Sequence, residues 1–434
     1  MSVSRAQPAS VPIGRGPSSG ADVRLTAGRL SSVDALRGVA VLAVVAAHAF
    51  NHGGSALVGT GWFRVLRRVV EQGVLGVPLF FVISGFCIHL PWARQRAAGS
   101  RADLRFGPFW ARRLRRLYPP YFAALCLSIL AVCVAWWLQL GTATVARYAE
   151  PVAASIGWDF LAHATMLHGL LLPYDLGAGN PPLWTLAREE YLYLLYFVVL
   201  AWRVRFGLTP ALALVWLTGM LVPLLATTAI AASALDAEWQ QRVMHPVHPD
   251  ASALALWIQW CLGMAIAESY CGLITLPAWS RLPWMAALWA GVALIAQHRG
   301  WSMLTPVLWG LTFFTLVHSV VSREVASRQG SAPETREQRA RGHVGWLARI
   351  GLVSYSVYLI HSPLIGGLNQ LELASGIPAA WLRHPAYHLA VWVLLIAACA
   401  AAGHVFFLAV ERWFLNAPRQ TPAPWRGGPG GHPA

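Results

Sequence analysis

Apolar residues run along this chain in blocks of about 20, separated by short polar stretches. A hydrocarbon layer of ~30 Å needs about 20 helical residues at ~1.5 Å each, so the blocks read as membrane helices. Ten are predicted: 33–51, 73–91, 117–139, 184–201, 211–233, 252–273, 283–297, 303–321, 347–366 and 387–411. The fold class is therefore all-α, a polytopic transmembrane helical bundle. One further block, 155–172, is ambiguous. It carries Asp159, His163 and His168, and is read as an excursion on the outer side that packs over or into the bundle. The flanks are polar and rich in Gly, Pro and Ser. They predict disordered tails over 1–30 and 416–434 around a membrane domain at 31–415. Residues 1–30 lack a compact apolar segment with a small-residue cleavage site, so no removable signal peptide is expected.

Charge orients the bundle. The chain has 33 basic residues, all arginine, and a net charge of +15. With the N-terminus inside, 23 arginines fall in cytoplasmic segments and seven in outer ones. That bias predicts both termini in the cytoplasm and a multi-pass protein of the inner (plasma) membrane. Counting 155–172 as a full span would invert everything after it and put the arginines of 323–341 outside. The same positions exclude a nucleic-acid partner, because the charge sits in short loops between spans. Composition agrees with a lipid-bilayer protein: 56% of residues are hydrophobic and 12% charged, about half the charge of a soluble chain. Six cysteines lie in apolar runs without a CxxC spacing and predict small buried side chains. The stretch HPVHPD, His245 to Asp250, is held extended by its prolines and has no further ligand nearby, so no metal site is predicted.

Ionisable residues inside spans are costly and are functional candidates by default. The first span, SSVDALRGVAVLAVVAAHAF, carries Arg37 at its start and His48 deep inside. Eleven steps of ~100° return to within roughly 20° of one face and cover about 16 Å, half a hydrocarbon core. Arg37 is expected at one membrane surface and His48 near the midplane. In the second span Gly76, Pro78 and Gly85 suggest close helix approach and local unwinding, or packing alone. Before the third, RFGPFWARRLRRLYPPY crowds Arg112, Arg113, Arg115 and Arg116 together. Arg113 and Arg116 share a face, and Pro119 and Pro120 suit a first helical turn. Eight arginines in residues 94–116 exceed what orientation requires. They suggest a polyanion site, against the plainer reading of a lipid-headgroup anchor. The fourth span opens WTLAREEYLY, with Arg188, Glu189 and Glu190 just inside its outer end; complementing the helix dipole is the plain alternative. In the ninth, SYSVYLIHSP puts Tyr355, Tyr358 and His361 on one slowly rotating face, where interhelical hydrogen bonding is the alternative. Glu411 and Arg412, ending the tenth, suggest an interfacial ion pair.

These parts permit one chemistry. Arginines on the cytoplasmic face would hold the 3′-phosphate and pyrophosphate of an acyl-coenzyme A. Its thioester arm, on the order of 15–20 Å when extended, would reach from Arg37 to His48. A neutral His48 would take the proton of an acceptor hydroxyl as that oxygen attacks the thioester carbonyl. Glu189 is expected toward the opposite face, where the acceptor enters. No GxSxG is present, which favours direct transfer over an acyl-enzyme. The rival reading is a transporter of a glycan or small molecule, proton-coupled through His48. Against it, no inverted repeat with matched broken helices is found. A structural scaffold would leave the buried charges unexplained.

The pieces VDALRGVAVLAVVAAH, GVPLFFVISGF, FWARRLRRLYPPY, WTLAREEYLY and SYSVYLIHSP, in this order and at these distances, resemble the acyltransferase 3 family. These are bacterial multi-spanning O-acyltransferases that modify glycans, peptidoglycan, lipids and secondary metabolites. The resemblance covers residues 31–415. It implies His48 as the catalytic residue, Arg37 as essential beside it, and Arg113 with Arg116 as a second pair for acyl-CoA. It carries an acid over to Glu189. Tyr355, Tyr358 and His361 join Arg113 and Arg116 as substrate-binding candidates. The acceptor it implies is a carbohydrate, glycolipid or glycosylated metabolite, with acetyl-CoA as the co-substrate and no bound cofactor. Three departures appear: Pro78 where the family usually has Asp, Arg188 at a usually neutral place, and Trp413 where a Pro is common. Pro78 puts an acidic role for the second span in doubt. No esterase-like extension is evident, so the chain is read as the membrane domain alone.

Overall fold

Each of the ten apolar blocks folds as helix, but several helices are longer, shorter or more broken than hydropathy suggests. The computed structural model describes residues 29–51, 58, 60–100, 104–138, 152–170, 177–231, 252–330 and 343–415. In chain order the elements are α1 (Ser31–Phe50), α2 (Gly61–Glu71), a 3-10 turn (Gln72–Leu75), α3 (Gly76–Ala97), α4 (Phe106–Trp137) and α5 (Val152–Ala164). A second 3-10 turn (Pro181–Leu183) leads into α6 (Trp184–Phe206), α7 (Leu208–Ala231) and α8 (Ala253–Tyr270). A third (Ala278–Arg281) precedes α9 (Pro283–His298), α10 (Thr305–Gly330), α11 (His343–Leu352), α12 (Ser354–Ala374), α13 (Ala379–Leu382) and α14 (Pro385–Ala409). Glu411–Phe414 closes the described chain as a 3-10 turn. Apart from Arg29 and Leu30, the expected tails lie outside the described residues, as do the His245–Asp250 stretch and three arginines of the 323–341 cluster.

Six helical stretches are long and apolar enough to cross a membrane: α1, α2 with α3, α4, α7, α10 and α14. The bent pair α11–α12 makes a seventh. The blocks at α6, α8 and α9 are helical but fall short of that measure; α6 carries charges at both ends, and α9 has only 16 residues. The surface suits hydrocarbon: Trp137, Leu394 and Leu371 are 76%, 67% and 66% exposed. The protein is an all-α, polytopic membrane bundle.

The ninth expected span, 347–366, is not continuous; it bends by 71° at Val353. The bend lets α11 lie along α1 while α12 turns away to pack on α14. Ser354 Oγ donates to the Gly351 carbonyl across the break, at 2.9 Å. α1 and α11 touch backbone to backbone. A Cβ on Gly351 would stand 1.8 Å from the Asp34 carbonyl oxygen, and one on Gly38 2.1 Å from that of Leu347. Small residues at such crossings allow dense packing where lipid supplies no hydrophobic drive. The start of α1 is held from outside its own sequence. Leu30 offers no capping side chain, and the Glu324 carboxylate on α10 accepts from the backbone N–H groups of Ser31 (3.1 Å) and Ser32 (3.0 Å). An anion at those unpaired donors satisfies them and complements the dipole.

α4 begins eleven residues before the expected span, so its arginines ride on the helix and not in a loop. Pro119 and Pro120 accordingly sit in its interior, not in a first turn. Each removes a backbone donor. The helix continues because packing holds that turn: Tyr355 OH donates to the Leu117 carbonyl at 2.8 Å, and Tyr118 and Tyr121 bond carbonyls of α5. The described part of the block at 155–172, to residue 170, forms the 13-residue α5 and a turn; the helix is about 20 Å long at the helical rise and too short to span. In the second span the unwound part is Gln72–Leu75, ahead of Pro78, which lies in the first turn of α3. α3 then meets α8 closely, with a Cβ on Gly85 falling 1.8 Å from the Trp260 carbonyl oxygen. Nearby, His89, Glu268 and Arg203 from α3, α8 and α6 form a buried network, Arg203 gripping Glu268 at 2.7–3.0 Å. No pattern in the sequence points to it.

Candidate active site

A cavity of about 240 Å³ opens among α1, α3, α4, α6 and the α11–α12 break. Its wall carries four arginines, Arg29, Arg37, Arg113 and Arg116, against two carboxylates, Glu189 and Glu411. Arg37 is anchored at both ends of its fork: Nη1 donates to Asp34 Oδ1 at 3.1 Å, and Nη2 reaches Cys87 Sγ at 3.2 Å. Arg29 bonds the same aspartate. Cys87 is therefore a wall residue here, not buried filler. Arg113 lies over the rings of Phe109 and Tyr193, at 5.6 and 5.7 Å, which leaves its charge available. Arg116 follows one turn on. Arg112 and Arg115, on the other face of α4, are exposed. Guanidinium groups outnumber carboxylates in this wall by four to two, a balance that suits an anion.

Glu189 belongs to this arginine cavity and not to the opposite face. Its Oε1 accepts from Ser84 Oγ at 2.7 Å and from Tyr193 OH at 2.6 Å. The cause is rotation along α6: Glu189 turns toward α3, while the adjacent Arg188 is buried the other way, donating to the Gly169 carbonyl at 2.9 Å. Glu411 forms no ion pair with Arg412. It is buried, accepts from Ser356 Oγ at 2.5 Å and faces Arg116's cavity, while Arg412 lies 4.4 Å over the Trp413 ring. Tyr355 lines the same cavity.

A second cavity, of about 550 Å³, lies beyond it among α1, α8, the start of α6, the start of α10 and the turn before α3. His48 lines it, with Trp184, Gln259, Trp309 and Tyr358. No Arg, Lys, Asp or Glu is among its described lining residues. The His48 and His361 rings meet edge to edge, centroids 5.1 Å apart and planes within 6°. His48 Nδ1 is 2.8 Å from His361 Nε2, and His361 Nδ1 is 2.6 Å from the Tyr358 carbonyl oxygen. A carbonyl can only accept, so His361 carries its proton on Nδ1. With both rings neutral, His361 Nε2 then accepts from His48 Nδ1–H, and the lone pair of His48 is left on Nε2. The His48 ring is thus held by a partner that is itself fixed to the backbone, with Nε2 left free to accept. His361, expected among substrate-binding residues, contacts His48. Nothing in the sequence links two residues 313 positions apart; only the packing of α12 on α1 does.

Val77 and Tyr358 line both cavities. The Tyr358 hydroxyl is 2.8 Å from Thr185 Oγ1 and donates to the Pro182 carbonyl at 3.1 Å, and its ring meets Phe80 edge-on at 6.2 Å. Along α12, Tyr355, Tyr358 and His361 thus pass from the arginine cavity to His48 over about 9 Å.

A family model described as an acyltransferase domain matches residues 30–403. Among curated proteins, the chain is 27% identical over 212 residues to the peptidoglycan O-acetyltransferase OatA of Listeria monocytogenes, covering 44% of this chain and 29% of that protein. It is 30% identical over 179 residues to YrhL of Bacillus subtilis, provisionally named for the same activity, covering 38% of this chain and 23% of that one. The chain thus spans less than a third of the length of these relatives. No solved structure matches it.

Proposed function

The chain belongs to this acyltransferase family, and from that premise we propose that it moves an acyl group, acetyl in the first instance, from coenzyme A to a hydroxyl of a carbohydrate or glycoside acceptor in the plasma membrane. The observation that carries this reading is the pair of dissimilar cavities that share Tyr358, one lined by arginines and the other by His48. The arginine cavity takes the phosphates of acyl-CoA from the cytoplasmic side, the side that the arginine bias assigns to it. The thioester arm passes Tyr358 toward His48. The acceptor enters the uncharged cavity.

His48 Nε2 then removes the hydroxyl proton as the acceptor oxygen attacks the thioester carbonyl. The new C–O bond forms, the C–S bond breaks, and the imidazolium returns its proton to the departing thiolate. His361 receives the hydrogen bond from His48 Nδ1 and is strengthened in that role as His48 gains charge. Glu189 acts on the donor side, where it holds Ser84 and Tyr193 and tempers the arginine charge.

The test is acetyl transfer from acetyl-CoA by the purified protein, read as acetylated product by mass. Arg113→Ala with Arg116→Ala should raise the KM for acetyl-CoA by about tenfold or more, since charge-assisted bonds contribute about 1.5–3 kcal/mol each. An unchanged KM would move the donor site elsewhere. His361→Leu should lower kcat by about 10–100-fold with little change in either KM, because it removes only the partner that orients the base. If KM rose instead, His361 would be a binding residue.

A further inference from the structure

The His48 cavity has a polar feature that no step above uses. Gln259, on α8, is 1% exposed, yet it lines the cavity. Its side chain is wedged against α10: a Cβ added to Gly310 would lie 3.2 Å from Gln259 Cγ. Gln259 Nε2 donates to the Pro306 carbonyl at 2.9 Å. That carbonyl can only accept, so the amide cannot be turned over, and Oε1 must point the other way. Oε1 is buried and has no hydrogen-bond partner among the described residues. A buried acceptor left unpaired is a standing cost, recovered when a ligand supplies a donor.

The rest of the wall decides what kind of molecule carries that donor. Among the described residues none of the lining is Arg, Lys, Asp or Glu, so a carboxylate or phosphate entering here would lose water and meet no counter-charge from them. Trp184 and Trp309 supply flat apolar surface, and the Trp309 Nε1 donor is already engaged by Gln297 Oε1 at 3.4 Å. An uncharged pyranose suits such a wall, with C–H faces for the indoles and hydroxyls for an acceptor.

We propose that Gln259 is a specificity-determining residue of the acceptor site, its Oε1 accepting a hydrogen bond from one hydroxyl of a neutral sugar ring while another hydroxyl is presented to His48. This rests on the acyl-transfer reading, and the test separates the two. Sites built to bond a hydroxyl discriminate strongly through it, because its loss leaves their own buried group unpaired.

The full-length protein in lipid nanodiscs is titrated with para-nitrophenyl β-glucopyranoside and with para-nitrophenyl β-glucuronide. Binding is read by saturation-transfer NMR, and transfer separately by mass with acetyl-CoA added. The glucoside is expected to bind, and the glucuronide about tenfold more weakly or worse. Gln259→Met, close in size, should weaken glucoside binding by about tenfold while acetyl-CoA binding is unchanged. That unchanged binding also reports that the variant is folded, and the comparison of the two glycosides needs no variant at all. Equal binding of the two glycosides, absence of glucoside binding, or unaltered binding by Gln259→Met would overturn the proposal. Glucoside binding that depends on Gln259 without any acetyl transfer would leave the subsite standing and remove the acyl-transfer reading.

Discussion

Replacing His48 with alanine is expected to lower acyl transfer by about 10²–10⁴-fold, the usual contribution of a positioned general base. The bundle is expected to stay folded. His48 is the third residue from the end of α1 and half-buried, with its ring against His361 and a cavity. α1 is held elsewhere, by Glu324 at its start and by the Gly38 and Gly351 crossing with α11. Removing the imidazole therefore enlarges a space that already exists. The check is initial rate against monodisperse yield for the purified variant. His48→Ala transferring at the wild-type rate would end the mechanism proposed above. A loss of rate that merely tracks a loss of folded protein would make His48 a packing residue.

Gly351→Ala, a single added methyl group, should force the α1–α11 crossing apart. Its Cβ would fall 1.8 Å from the Asp34 carbonyl oxygen, which belongs to the backbone of α1 and cannot swing aside. The two helices must part, and overpacking of this kind costs about 1–3 kcal/mol or more. The strain also reaches the chemistry. Asp34 holds Arg29 and Arg37, so a shift of α1 disorders half the guanidinium set of the donor cavity. A lower thermal midpoint is expected together with a raised KM for acetyl-CoA in the fraction that folds. Gly366→Ala on α12, where an added Cβ meets nothing within 4 Å, is the matched control and should change neither. Equal midpoints for the two variants would show that the α1–α11 contact is not tight.

Much of the arginine cavity is legible in the sequence. Arg113 and Arg116 share a face because residues three apart on a helix must, and they do line one cavity. Arg37 and His48 share a face by the same arithmetic over eleven residues, yet they line different cavities, Arg37 the arginine-rich one and His48 its neighbour. Sequence reasoning misplaces Glu189, because distance from a span's end says how deep a residue lies, not which neighbour it turns to. Glu411 reads as a surface ion pair for a related reason: its place at the end of α14 does not reveal that it folds back onto Ser356. Gln259 leaves no signal at all. A glutamine in an apolar run is unremarkable until the one bond it makes, to Pro306 on another helix, fixes the direction of its free oxygen.

The sequence by itself determined that the chain is a membrane bundle, where its helices lie and which charged side chains share a helical face. Those properties depend on the length and period of apolar runs, which are local. Tertiary structure decided that α11 and α12 break at Val353, that His361 sits behind His48, and that one cavity is rich in arginine while its neighbour has no Arg, Lys, Asp or Glu among its described lining residues. Each of these depends on which helix packs against which. In lipid that choice rests on close backbone contacts and scattered polar bonds between distant residues, and hydropathy carries no record of them.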